Sequence, residues 1–192
     1  MKSPWESKGE KIHARKIDIS TYEHDPQRIV VEGSLRDERF QDSFLVTGES
    51  FSRGVIHHMT ISLLVNSSTL VVEDVSVCLS SVPRSSCRET ADSLALIKGL
   101  SITRGFMAKV KKIAGGNKGC THLVELLQAM APAVFQGVAA FRAKEFTGFE
   151  PLRAETALKL LAGTCHAWRE DGPLVKQITA LLDQHRKDAS SV

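Results

Sequence analysis

From Val55 to Val65 the side chains sort with a period of two. Val55, His57, Met59, Ile61, Leu63 and Val65 share one side, and His58, Thr60, Ser62 and Leu64 the other. That pattern requires an extended strand with one apolar face. Thr69 to Leu79 is a second strand rich in Val, and the intervening Asn66-Ser67-Ser68 is turn chemistry, so the two form a hairpin. After Val82-Pro83-Arg84-Ser85-Ser86 the period becomes helical. Cys87, Thr90, Ala91, Leu94 and Ile97 recur at helical spacing, with Ser85 or Ser86 to cap the start and Gly99 after the end. Strands first and helices later define an α+β fold, an antiparallel sheet with helices packed on one face.

The flanking segments agree. Lys11 to Thr21 reads as an irregular strand and Arg28 to Arg36 as a regular one, joined through the turn residues His24-Asp25-Pro26-Gln27. Asp37 to Gly54 is polar with scattered Phe40, Phe44, Leu45 and Phe51, and reads as a long connection with some packing of its own. Arg104 to Ala114 is a second helix, stopped by Gly115-Gly116. A third runs from about Thr121 to Lys144 on the stripe Leu123, Leu126, Leu127, Met130, Val134, Val138 and Phe141, with Pro132 placed to kink or split it. Glu150 to Leu161 and the stretch from Leu174 give two more. The expected organisation is a flexible start over 1–10, an α+β domain over 11–145, a helical appendage over 146–188 and a short tail over 189–192.

Charge and composition narrow the function. A net charge of +3 and 6% aromatic residues offer neither the basic footprint nor the stacking platforms of a nucleic-acid binder. The polar amino terminus has no apolar core, and no apolar run approaches a membrane span, so a cytoplasmic protein with reduced thiols is expected. A protein partner is compatible with the sequence, and the oligomeric state is not encoded in any pattern found.

The chemistry concentrates at Gly115-Gly116-Asn117-Lys118-Gly119-Cys120-Thr121-His122-Leu123-Val124-Glu125. A glycine turn enters a helix whose first residues carry a thiol, an imidazole and a carboxylate. Exposed N–H groups at a helix start favour the thiolate. His57 lies on the buried side of its strand, and Cys87 opens another helix. His57, Cys87, Cys120 and His122 are therefore the expected metal ligands, for zinc, iron or an iron–sulfur cluster. Glu125, His58, Cys165 and His166 are the alternative or supporting groups. No Cys-x-x-Cys, Gly-x-Ser-x-Gly or Walker-type loop is present.

Ile56-His57-His58-Met59, Gly119-Cys120-Thr121-His122-Leu123-Val124-Glu125-Leu126-Leu127 and Thr164-Cys165-His166-Ala167 with Asp171-Gly172 resemble an uncharacterised bacterial family of unknown function, DUF2889, from about His13 to Asp171. That likeness implies no activity. A more distant resemblance is to the U-type iron–sulfur cluster scaffold proteins. Met59-Thr60-Ile61-Ser62-Leu63 is similar to their strand, Ser86-Cys87 to their helix start, and Ile97-Lys98-Gly99-Leu100-Ser101-Ile102 to their turn. Cys120-Thr121-His122-Leu123 is similar to their final ligand pair, and the scaffold's aspartate falls at His57. Val55 and Ile56 stand where the scaffold has its first cysteine, and the final pair is reversed. The resemblance implies the fold first and ligand positions second, with zinc as much implied as a cluster.

Three functions stay open. One is a metal- or cluster-binding accessory protein without catalysis of its own. Another is a small-ligand protein or enzyme with a reactive Cys, its pocket lined by Cys120, His122, Cys165 and His166. The third is a metal-free partner-binding module.

Overall fold

The computed structural model describes residues 3, 5–143 and 148–190 of the chain. It divides into two compact units, Met1–Arg142 and Ala143–Val192. The helix end expected at Lys144, the boundary expected at 145/146 and the last two residues of the tail lie outside the described residues.

The first unit is built on a four-stranded antiparallel meander in the order β1-β2-β5-β6. The strands are β1 (His13–Asp25), β2 (Arg28–Arg39), β5 (Gly54–Asn66) and β6 (Val72–Ser81), and a small hairpin of β3 (Ser43–Phe44) and β4 (Ser50–Phe51) bridges β2 to β5. The α+β class holds, but the second strand is longer than the alternation to Arg36 implies. Its buried side runs Ile29, Val31, Gly33, Leu35 and then Asp37 without a break in parity. The polar connection shrinks to residues 40–53, and Asp37 belongs to the sheet.

One face of the sheet carries Ile29, Val31, Leu35, Met59, Ile61, Leu63 and Val65, all buried. Across it lies α2 (Thr121–Arg142), a single helix that runs through Pro132. Leu123, Val124, Leu126, Leu127, Met130, Val134 and Val138 form its buried stripe. Each such side chain contributes about 1.5–3 kcal/mol by leaving water. By length and composition α2 could cross a membrane, contrary to the expectation that no run is long enough, but the core helix of a globular protein passes the same test. α1 (Phe106–Ala114) buries Phe106, Val110 and Ala114.

Ser85–Ile97 is helical, as its spacing implies, but winds as a 3-10 helix. The segment is rich in small polar side chains that compete for the backbone, and the Thr90 hydroxyl donates to the Cys87 carbonyl at 2.8 Å. Leu94 and Ile97 are its buried residues.

The second unit contains α3 (Pro151–Leu161) and α4 (Pro173–Ser190). They are tied by Arg186 to Glu155 at 2.9 Å, and Val175 and Leu182 are the buried side chains of α4.

Two glycines let α2 approach the sheet. A Cβ on Gly33 would meet the Met130 thioether at 2.5 Å, and one on Gly137 would meet the Thr21 side chain at 2.4 Å. Met130 is flexible and can yield, whereas Thr21 is branched and fixed to the edge strand. Helix propensity alone favours Ala over Gly by about 1 kcal/mol, but overpacking costs about 1–3 kcal/mol. Gly137→Ala is therefore expected to lower stability by about 1 kcal/mol net, seen as a fall in the urea midpoint. A rise in the midpoint would mean that helix and strand are not held this close.

Candidate functional site

The core side of β2 ends in a carboxylate. Asp37 is 2% exposed and lies opposite Arg15 on β1 and His57 on β5. Directly paired residues in an antiparallel sheet project to the same face, so the three form one row across three strands. Arg15 grips both oxygens, Nε donating to Oδ1 at 2.7 Å and Nη2 to Oδ2 at 2.8 Å. His57 Nδ1 lies 3.0 Å from Oδ2.

The backbone is irregular at this row. β2 and β5 pair Asp37 with His57 and then Glu38 with Val55, which leaves Ile56 as an extra residue. One strand further, His58 pairs with Ser81 and Met59 with Leu79, leaving Ser80 extra. Bulges turn a strand and re-aim its side chains. Here they flank His57 on both sides.

The start of α2 lies over the row. The Cys120 carbonyl accepts the first helical bond, from Val124 at 3.1 Å, so Cys120 is the cap and His122 the second helical residue. His122 Nε2 lies 3.8 Å from Asp37 Oδ2, and its ring is 4.0 Å from that of His57, tilted by 35°. On the other side of that ring, Nδ1 lies 3.8 Å from Cys120 Sγ. Glu125, one turn on, accepts from Arg15 Nη1 at 2.6 Å. His13 Nε2 stands 3.6 Å from Asp37 Oδ1.

These contacts set the charge states. Burial pushes the Asp37 carboxyl up, but the Arg15 guanidinium, helped by His57, holds it below the ordinary 3.8. The hydrogen bond to Asp37 raises the Arg15 pKa in return. Burial also pushes the Cys120 thiol up. The hydrogen bond to His122 and the N–H groups of Leu123 and His122 outweigh it, and the thiol titrates below its ordinary 9.0. The largest lowering influence is the His122 ring, and the backbone N–H groups add the helix-start effect expected of that position.

Potential ligand atoms of Asp37, His57 and His122 all lie within 4.8 Å of one another. Of the four expected ligands, His57 and His122 meet in this group, and Cys120 adjoins it through the far nitrogen of His122. Cys87 is half-buried in the 3-10 segment and is not part of the group. His58 pairs with Arg36, on the opposite face of the sheet. Glu125 reaches the site through Arg15. Cys165 and His166 are exposed residues of the second unit, where His166 Nε2 is 3.4 Å from Arg169.

Asp37, Arg15 and His13 were not expected from the sequence. The usable signal was parity. A carboxylate at the next odd position after Ile29, Val31, Gly33 and Leu35 must be either the first exposed residue or a buried charge with partners.

The chain belongs to the DUF2889 family, whose members are proteins of unknown function; the family model matches residues 13–136. No curated protein and no solved structure is significantly similar to it. The matched span contains His13, Arg15, Asp37, His57, Cys120, His122 and Glu125, and excludes Cys165 and His166.

Removing one member of a buried pair leaves the other unsatisfied. Asp37→Asn is expected to destabilise the first unit by about 1–3 kcal/mol, below the roughly 3–5 kcal/mol for breaking a fully buried pair because Arg15 is partly exposed. The pH dependence has a fixed sign. A depressed carboxyl stabilises the fold fully above its unfolded value of 3.8, and that stabilisation is lost as pH falls through the lower folded value. Asp37→Asn should flatten the stability profile in that acid window, as measured by urea unfolding of chelator-treated protein. An unchanged acid slope would show that the pair is not formed.

Proposed function

We propose that this protein binds a single transition-metal ion, zinc or iron, through Asp37 Oδ2, His57 Nδ1 and His122 Nε2, as a metal-handling accessory protein. The observation that carries the reading is the convergence of three different ligand atoms from two strands and a helix start. Ligand atoms about 2.0–2.1 Å from one tetrahedral ion lie about 3.4 Å apart. The separations of 3.0 Å from His57 and 3.8 Å from His122 to the same Asp37 oxygen bracket that value. The third separation, between the two imidazoles, lies within 4.8 Å, so an ion would draw the three side chains together.

The donors are one carboxylate and two imidazoles. Such a set suits zinc or ferrous iron, whereas iron–sulfur clusters use thiolates. Three protein ligands also leave a fourth position for water or another molecule. Cys120 takes a different role from the one its type implies. It faces Nδ1 of His122, so the ring can donate to the thiolate while Nε2 faces the ion. Ligating histidines are commonly held this way through their other nitrogen.

The test is metal binding by untagged protein, read by cobalt(II) absorption and competition with a chelator for zinc. Wild type is expected to bind one ion, and His57→Ala or His122→Ala to abolish binding. Cys120→Ser should keep the stoichiometry with about 10–100-fold weaker affinity, the usual effect of losing a group that orients a ligand. Complete loss in Cys120→Ser would make the thiol a direct ligand. No binding by well-folded wild type would refute the reading.

A second reading rests on the same thiol. Cys120, His122 and Asp37 stand in the order nucleophile, base and orienting carboxylate. On that reading Cys120 reacts with iodoacetamide at neutral pH faster than a free thiol, and His122→Ala removes the advantage. Labelling no faster than free cysteine excludes it.

A further inference from the structure

Asp37 already has a cation. Both of its oxygens accept from Arg15, and Oδ2, the atom nearest His57 and His122, is one of them. A divalent ion seated among these groups and a guanidinium bound to both oxygens would place three positive charges on one buried carboxylate. Interactions at such distances are strong where water is scarce. The two cations therefore compete for Asp37.

Arg15 also has somewhere else to go. Its Nη1 is bonded to Glu125 at 2.6 Å, and Glu125 is nearly half exposed on the first turns of α2. The guanidinium can leave Asp37 toward Glu125 and solvent while keeping one charge-assisted bond. Glu125 is three residues from His122, so the helix start that delivers a ligand also carries the acceptor for the displaced arginine.

We infer that Arg15 and Glu125 form an exchange gate for the metal site: Arg15 occupies Asp37 in the metal-free protein, and Glu125 receives it when an ion enters. This rests on the metal reading above and adds a consequence. The gate keeps the metal-free fold neutralised and makes the bound ion easy to release, which suits a protein that passes an ion on and not one that needs it to fold. It also sets affinity through two residues that do not touch the ion.

The experiment is zinc and cobalt(II) affinity by chelator competition in wild type, Arg15→Gln, Arg15→Lys, Glu125→Gln and the double variant Arg15→Gln/Glu125→Gln. Removing the competitor should tighten binding at least tenfold in Arg15→Gln. Lysine keeps the charge without the two-pronged grip, so Arg15→Lys should fall between the two. Glu125→Gln should weaken binding several-fold, and that effect should largely vanish in the Arg15→Gln background, because Glu125 acts through Arg15. Circular dichroism and urea midpoints measured with saturating zinc show that each variant is folded. Equal affinity in wild type and Arg15→Gln would overturn the gate and leave the metal site standing. A Glu125→Gln effect of full size in the double variant would also overturn it, since Glu125 would then act on the ion directly. Absence of binding in wild type and every variant would overturn the metal reading and the gate together.

Discussion

A buried carboxylate is what the rest of this structure has to accommodate. Asp37 sits at the end of an apolar row, where water cannot solvate it, and it stays charged because Arg15 answers both oxygens. Such a pair adds little net stability, because desolvation offsets most of the attraction. Its value is geometric. Arg15, Asp37 and His57 fix the pairing of three strands at one row, and a slip of one residue in any of these strands would turn its member of the row to the other face. The third arm of Arg15, to Glu125, extends that constraint to the helix. One ionic group thus links β1, β2, β5 and α2 at the same end of the sheet.

The apolar part of the fold brings the helix start there. Leu126 and Met130 lie over Gly33 of β2, and Gly33 and Gly137 remove the side chains that would hold α2 away. Close contact along the helix leaves its first turn over Asp37, with Cys120 as cap and His122 turned to the carboxylate. Bulges at Ile56 and Ser80 break the regular ladder on either side of His57–His58. Core packing and site geometry are therefore not separable. The residues that set the depth of the helix also set the distance between His122 and Asp37.

Much of this was legible in the sequence, for definable reasons. Strand alternation placed His57 and His58 on opposite faces, and the glycine turn placed Cys120 and His122 at a helix start. Both are local patterns that one segment carries alone. Asp37 was hidden because it lies in the charged run Arg36-Asp37-Glu38-Arg39, which reads as a loop until the parity of β2 is followed one step further. Arg15 was hidden because its role depends on strand register, and no single strand states its register. Cys87 does not join the group of Asp37, His57 and His122, for the converse reason. A helix start marks a reactive thiol, but whether that start faces the strand end is a matter of tertiary arrangement.

The placement of Cys120 decides how these groups divide their work. Had its sulfur faced Nε2 of His122, thiolate, imidazoles and carboxylate would have made one soft, closed site. It faces Nδ1 instead, so His122 stands between sulfur and carboxylate, with Cys120 on one nitrogen and Asp37 on the other. The carboxylate side gathers hard and intermediate donors around an oxygen that Arg15 already neutralises. The thiol side rests on helix N–H groups and favours negative charge. The imidazole of His122 is thus the group that separates the buried carboxylate from the thiol at the helix cap, and it fixes which donors share the carboxylate side.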